Sequence, residues 1–188
     1  MLTELRRAAF VDRDGVINAE LDHVGRPEDF HLLPRAIAGL RRLAGHGYLL
    51  VVVTNQAGIA KGLYGEEDYQ RVTRYMTDLL LSQRVQLQAV YHCPHHPLGS
   101  VSRYAIACDC RKPAPGLLLR AAEEIQLDLP RSVLIGDKVS DTAAGRAAGL
   151  HRTILVRSGH VLPEGALRYA DYCCDDLSDA AEWVCSQD

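Results

Sequence analysis

The 188-residue sequence predicts an α/β fold in which a parallel sheet alternates with helices, and three observations carry that reading. Five short apolar, β-branched runs lack polar alternation, as strands buried on both faces do. Segments with apolar residues at helical spacing stand among them. A hydrophobic content of 47% over this length suffices for one core, so a single domain over residues 1–188 is expected.

Taken in order, the first strand is expected at 8–11 (AAFV), running straight into Asp12-Arg13-Asp14-Gly15. The segment 34–47 places Ile37, Leu40 and Ala44 at helical spacing and ends in Gly45 and Gly47, which can cap a helix C-terminus. A second strand at 48–54 (YLLVVVT) leads into Asn55-Gln56. A helix follows over 66–84, with Tyr69, Val72, Met76 and Leu79 or Leu80 on its apolar face. A third strand is expected at 89–92, a helix at 116–126 and a fourth strand at 132–136. A short helix is expected at 140–149, whose small residues would permit close packing, and 153–157 supplies the fifth strand. The chain shows no internal repeat, low-complexity segment or long linker.

In parallel sheets ligands bind beyond the C-terminal strand ends, at a switch point in strand order, so the polar residues there decide function. A lone D-x-D-G is weak, because such acids commonly cap helices or turn loops. At the end of a buried strand, however, Asp12 and Asp14 would repel each other without a cation or proton between them, and a carboxylate pair facing a phosphate suits Mg²⁺. Thr54, Asn55 and Gln56 offer a hydroxyl and amides to a phosphate, although Thr and Asn also favour turns. Lys112 supplies a point charge and Arg111 a planar fork; the bland alternative is an exposed basic pair. The fourth strand ends in GDKVSD, providing Asp137, Lys138 and Asp141, one of which a helix N-cap would explain. The ordered set D-x-D, T-N, K and G-D-x-x-x-D, each at an expected element boundary, weighs against independent structural accidents.

Between Tyr91 and Pro113 lie three of the six cysteines and three of the eight histidines. Cys93-x-His95, twelve intervening residues and Cys108-x-Cys110 supply three sulfurs and one imidazole, a donor set suited to closed tetrahedral Zn²⁺, with His92 and His96 as alternative nitrogen donors. A closed zinc has no open position for water, so its expected task is to shape the loop that carries Arg111 and Lys112. Cys173, Cys174 and Cys185 are expected as buried or free thiols. A net charge of −3 gives no global basic field of the kind nucleic-acid binders use. No stretch has the roughly 18 apolar residues of a membrane span and no leader is apparent, so a soluble cytoplasmic protein is expected.

The segments DRDGVIN, VVVTNQAGIAKG and CPHHPLGS…CDCRKPAPG resemble the D-glycero-D-manno-heptose-1,7-bisphosphate 7-phosphatase family of the haloacid dehalogenase superfamily, over about Phe10 to Gly159. The resemblance implies a Rossmann-like three-layer sandwich with a mostly parallel sheet and no large cap domain. It implies a phosphatase that removes the 7-phosphate of the heptose bisphosphate on the way to nucleotide-activated heptose for lipopolysaccharide core or surface-layer glycan. Asp12 would be the nucleophile and Asp14 the general acid and base, with Thr54 and Lys112 stabilising the phosphoryl oxygens. Mg²⁺ would be held by Asp12, Asp14 through its carbonyl, and Asp137, and Zn²⁺ by Cys93, His95, Cys108 and Cys110. Asn55, Gln56, Arg111 and Lys138 would contact substrate, as would Glu20, Leu21, Asp22 and His23, whose ELDH run departs from the family's more usual DHGY-like segment. The expected partner is a small sugar bisphosphate, with neither nucleic acid nor membrane, and a monomer suffices because one chain carries every zinc donor.

Three other readings compete. A histidinol-phosphate phosphatase shares the strand-end residues, but its zinc loop is typically shorter than one containing PLGSVSRYAIA. A non-catalytic zinc-binding module leaves the Asp12, Asp14 and Asp137 set unexplained, and a polynucleotide 3'-phosphatase would need a basic groove that the composition does not provide.

Overall fold

In the computed structural model, which describes residues 5–187, one open sheet of six parallel strands runs through the molecule. Its strands are β1 (Ala8–Val11), β2 (Leu49–Asn55), β3 (Ala89–Cys93), β4 (Val133–Gly136), β5 (Arg152–Val156) and β6 (Tyr172–Cys174). Their order is β3-β2-β1-β4-β5-β6, every pairing parallel, so the sheet is wholly parallel where a mostly parallel one was expected. Because the chain winds outward from β1 to β3 and then returns to start again at β4, a crevice opens between β1 and β4 at their C-terminal ends.

The lack of polar alternation has its expected cause. All four residues of β1 are buried, with Ala9 and Val11 on one face of the sheet and Ala8 and Phe10 on the other. The first face packs against α1 (Ala36–Gly45), α3 (Glu66–Ser82) and α6 (Leu177–Ser186), through residues such as Leu40, Met76 and Val184. The second packs against α4 (Gly116–Ile125) and α5 (Val139–Ala147), through Leu117, Leu118 and Ala144. Helices on both faces make three layers, and no large cap domain stands over the strand ends; a single turn, α2 (Ala57–Ala60), follows β2 directly.

Several expectations shift in detail. On α1 the buried residues are Ala36, Gly39, Leu40 and Leu43, so Ala44 faces solvent and Leu43 takes its place. Gly45 is the last helical residue, and the left-handed exit belongs to Gly47 at φ 82°. On α3 the core position is Leu80, with Leu79 only partly buried. The elements β6 and α6 carried no recognised signal: β6 is three residues long and reads YCC, without a β-branched side chain. The start of α6 is nevertheless marked by Asp176, whose side chain accepts from the backbone N–H groups of Ser178 (2.8 Å) and Asp179 (3.0 Å). Among the described residues no disulfide joins any of the six cysteines, and of the three outside the cluster Cys174 is buried while Cys173 and Cys185 are partly buried.

Candidate active site

The C-terminal ends of β1, β2 and β4 deliver Asp12, Thr54 and Asp137 to the crevice, and the loop before α4 brings Lys112 across to meet them. All four side chains are nearly or fully buried. Lys112 Nζ lies 3.0 Å from Asp12 Oδ1 and 2.6 Å from Asp141 Oδ1, and donates to the Val53 carbonyl at 2.8 Å. Burial opposes the charge on Lys112, but the neighbouring Asp12 and Asp141 outweigh it and hold its pKa above the ordinary lysine value. Asp12 Oδ1 also accepts from the Arg13 backbone N–H at 2.8 Å, so both contacts fall on one oxygen.

Burial pushes the Asp12 carboxyl up to about 7; the Lys112 ammonium opposes that rise, and the charges of Asp141, Asp137 and Asp14 add to it. Repulsion between Asp12 and Asp14 was expected from their spacing; at Asp12 desolvation is the largest cause of the rise, and the charge of Asp14 is the smallest of those named. Asp14 turns into a nest of donors: Arg13 Nε at 3.1 Å from both oxygens, Arg13 Nη2 at 2.9 and 3.0 Å, Asn18 Nδ2 at 3.0 Å and Gln56 Nε2 at 2.9 Å.

Asp137 Oδ2 meets His160 Nδ1 at 2.5 Å, whereas its Oδ1 is buried without a hydrogen-bond partner. Burial raises the Asp137 carboxyl, and the nearby Asp141 adds to the rise. One oxygen from each of Asp12, Asp137 and Asp141 lies within 4.8 Å of the others, a set of hard donors with an orphaned buried oxygen that fits Mg²⁺. Gly15, at φ 82°, lets the chain pass Asp137, since a Cβ there would stand 2.3 Å from Asp137 Oδ2. Asp141 braces the turn by accepting from the Lys138 N–H at 2.9 Å while it faces Lys112.

A cleft of about 370 Å³ opens over these groups. Glu20, Asp22, His23, Asn55, Gln56, Arg111 and Lys138 lie along it, but Leu21 does not: it points outward, 52% exposed. The chain turns here: Asp22 is left-handed (φ 63°) and the His23 N–H donates to the Leu21 carbonyl at 2.8 Å, which puts Leu21 on the outside of the turn. Within the wall, Lys138 Nζ pairs with Glu20 at 3.0 Å and Lys61 Nζ lies 3.2 Å from His23 Nε2. Asn55 turns from the cleft to clamp Lys112: its amide donates to the Lys112 carbonyl at 3.0 Å and accepts from the Lys112 N–H at 3.1 Å. Lys61, Tyr64, Ser140 and His160 also line the cleft and were not singled out from sequence, and His96, weighed there as an alternative zinc donor, lines it too. His160 could have been found by the rule that picked out Asp12, because it follows the end of β5 by four residues.

Beside the cleft, donor atoms of Cys93, His95, Cys108 and Cys110 lie within 4.8 Å of one another. Sulfur separations are 2.9, 3.4 and 3.5 Å, and His95 Nδ1 lies 3.4 Å from Cys110 Sγ and 3.8 Å from Cys93 Sγ. Zinc–sulfur bonds of about 2.3 Å imply tetrahedral edges of roughly 3.8 Å, so the cluster is compatible with zinc after small outward shifts. The other histidines are engaged elsewhere: His92 stacks on Tyr69 at 3.9 Å with Glu66 3.0 Å from its Nε2, and His96 faces the cleft. Arg111 Nη1 donates to the His95 carbonyl at 3.2 Å, which ties that cation to the cluster.

Comparison with known proteins gives concordant results. The Hydrolase_like family model, described as HAD-hyrolase-like, matches residues 109–180. The D-glycero-beta-D-manno-heptose-1,7-bisphosphate 7-phosphatase of Pasteurella multocida is 39% identical over 180 residues, 96% of this chain and 97% of its own. The alpha-anomer 7-phosphatase of Photorhabdus laumondii is 42% identical over 158 residues, 84% of this chain and 86% of its own. Among solved structures, the D,D-heptose 1,7-bisphosphate phosphatase of B. bronchiseptica, complexed with magnesium and phosphate, superposes with a TM-score of 0.80 at 29% identity, covering 97% of this chain and 99% of that one.

Proposed function

The chain belongs to the heptose-1,7-bisphosphate 7-phosphatase family of haloacid dehalogenase-like hydrolases, and from that premise we propose that it removes the 7-phosphate of D-glycero-D-manno-heptose 1,7-bisphosphate. It is a phosphoric monoester hydrolase acting on a small sugar bisphosphate. The observation that carries this reading is the buried meeting of Asp12, Lys112 and Asp137 at the switch point, in a chain aligned over 96% of its length with a curated 7-phosphatase. One continuous sheet supports treating residues 1–188 as one domain, and four zinc donors on one chain support a monomer; similarity to enzymes of sugar biosynthesis supports a cytoplasmic location.

In this mechanism Asp12 attacks phosphorus in line as the bond to the sugar oxygen breaks, and the resulting phosphoaspartyl group is then hydrolysed by water. Contacts on Oδ1 from the Arg13 N–H and Lys112 hold the carboxylate in place for attack. Thr54 and Lys112 stabilise the phosphoryl oxygens. Asp14 gives its proton to the departing sugar oxygen and takes one back from the attacking water. A protonated Asp14 must release at least one of the donors around it, because its O–H needs an acceptor, and the sugar oxygen is that acceptor. Asp12, Asp137 and the Asp14 carbonyl would hold Mg²⁺, which when bound neutralises charge on the transferring group. Arg111 and Lys138 are the cleft cations assigned to the sugar or its second phosphate, and Glu20, Asp22 and His23 are the wall facing the heptose.

The deciding experiment measures phosphate release from the α and β heptose bisphosphates and from histidinol phosphate, with and without Mg²⁺. Release from the heptose substrates in Mg²⁺ is expected to exceed release from histidinol phosphate. Equal rates on all three would remove the substrate assignment, and no release from any would remove the phosphatase assignment in favour of a zinc-binding module.

A further inference from the structure

We propose that Gln56 is a positioning residue: it forces the Thr54 hydroxyl to aim its hydrogen at the transferred phosphoryl group, and Tyr64 holds Gln56 in the orientation that does so. Gln56 is 2% exposed, and four hydrogen bonds use its entire amide. Its Oε1 accepts from Arg13 Nη2 at 3.2 Å and from the Tyr64 hydroxyl at 2.6 Å; its Nε2 donates to Asp14 Oδ2 at 2.9 Å and to Thr54 Oγ1 at 2.8 Å.

The direction of this chain follows from which groups can only donate. A guanidinium has no acceptor, so the Gln56 atom facing Arg13 is the oxygen, and the nitrogen must face Thr54 and Asp14. An amide nitrogen cannot accept, so Thr54 Oγ1 is the acceptor in that bond. A hydroxyl has one hydrogen, and among the described residues Thr54 Oγ1 makes no other hydrogen bond. Its hydrogen is therefore left for an acceptor in the cleft, which Thr54 lines. At the far end Tyr64 must donate, because Gln56 Oε1 can only accept, and burial holds the phenol well above its ordinary pKa.

The fold reserves space for this arrangement. A Cβ on Gly58 would stand 2.2 Å from Tyr64 Cε1, and one on Gly25 2.6 Å from Tyr64 Cδ1, so the ring lies against two glycines and has little freedom to swing. The sequence reading assigned Gln56 to substrate contact, but an amide with four internal bonds has nothing left to offer a ligand.

The inference rests on the phosphatase reading with Thr54 as a phosphoryl contact, and a double-mutant cycle separates the two. Thr54→Val is expected to lower kcat by about 10²-fold through loss of one transition-state donor. Gln56→Leu is expected to lower kcat in the wild-type background and to cost at least about fivefold less in the Thr54→Val background, the coupling of residues in contact. Tyr64→Phe keeps the ring between the glycines and removes only its O–H. A loss of about three- to tenfold in kcat is expected, with KM within about twofold and no effect once Thr54 is valine. Multiplicative losses across the cycle, or a folded Tyr64→Phe enzyme with native kcat, would overturn the positioning role alone. A Thr54→Val enzyme with native kcat would overturn the role of Thr54 in the reaction as well.

Discussion

At the residue scale the site is a small group of buried charges that compensate one another. Lys112 stands between Asp12 and Asp141 with its side chain 1% exposed, so each partner depends on the others for solvation. Lys112→Met should therefore cost ~3–5 kcal/mol of stability by leaving buried carboxylates unpaired, seen as a lower denaturation midpoint, along with loss of turnover. Asp12→Asn should lower kcat by at least about 10⁴-fold while leaving circular dichroism unchanged. A folded variant with a near-native rate would end the assignment of Asp12 as nucleophile. The positions of Asp12, Thr54 and Asp137 were legible because they stand at or directly after the C-terminal ends of strands, where sequence position implies spatial position, and that of Lys112 because it lies just ahead of the helix α4. Asn55 and Gln56 are next in line and were expected to face substrate, whereas their amides pair with Lys112, Asp14, Thr54 and Tyr64, pairings that depend on rotamers spacing does not encode.

At the scale of elements, two joints decide how the scaffold holds the site. The helices α1 and α6 approach so closely that a Cβ on Gly39 would lie 2.6 Å from the Leu177 carbonyl oxygen. Gly39→Ala gains about 1 kcal/mol of helix propensity yet is expected to destabilise by about 1–3 kcal/mol through overpacking, measurable by urea denaturation. The other joint is the cysteine loop. Besides the link from Arg111 to His95, its tip docks on the end of α2, with Val101 N–H donating to the Ala60 carbonyl at 2.9 Å and Ser100 Oγ to the Lys61 carbonyl at 2.8 Å. Loosening the loop thus frees cations on two walls of the cleft, Arg111 and Lys61. Cys108→Ser should release zinc and raise KM several-fold while kcat changes little; zinc loss with both constants unchanged would show that the loop positions nothing.

Across the whole molecule, the sheet's two faces depend on different parts of the chain. One is covered by α4 and α5, the other by α1, α3 and α6, and α6 alone buries Leu177, Ala180, Ala181 and Val184. Truncation before Tyr172 removes β6 and α6 together, exposing the face of β5 and α1 they cover. The expected result is loss of cooperative thermal unfolding, with several kcal/mol forfeited as large apolar side chains are uncovered. The sequence by itself determined the α/β class, the five recognised strands, the identity of the strand-end acids and the four members of a cysteine and histidine cluster compatible with zinc. Each of these is either a local pattern of burial or a set of residue types whose chemistry admits few uses. Only the tertiary structure decided that β1 and β4 are neighbours, that burial more than crowding raises Asp12, and that Leu21 faces away. The same is true of Gln56, whose amide serves Thr54 and Asp14 from within. Those outcomes depend on long-range adjacency, desolvation and the donor or acceptor left over after folding, quantities that exist only once distant segments have met.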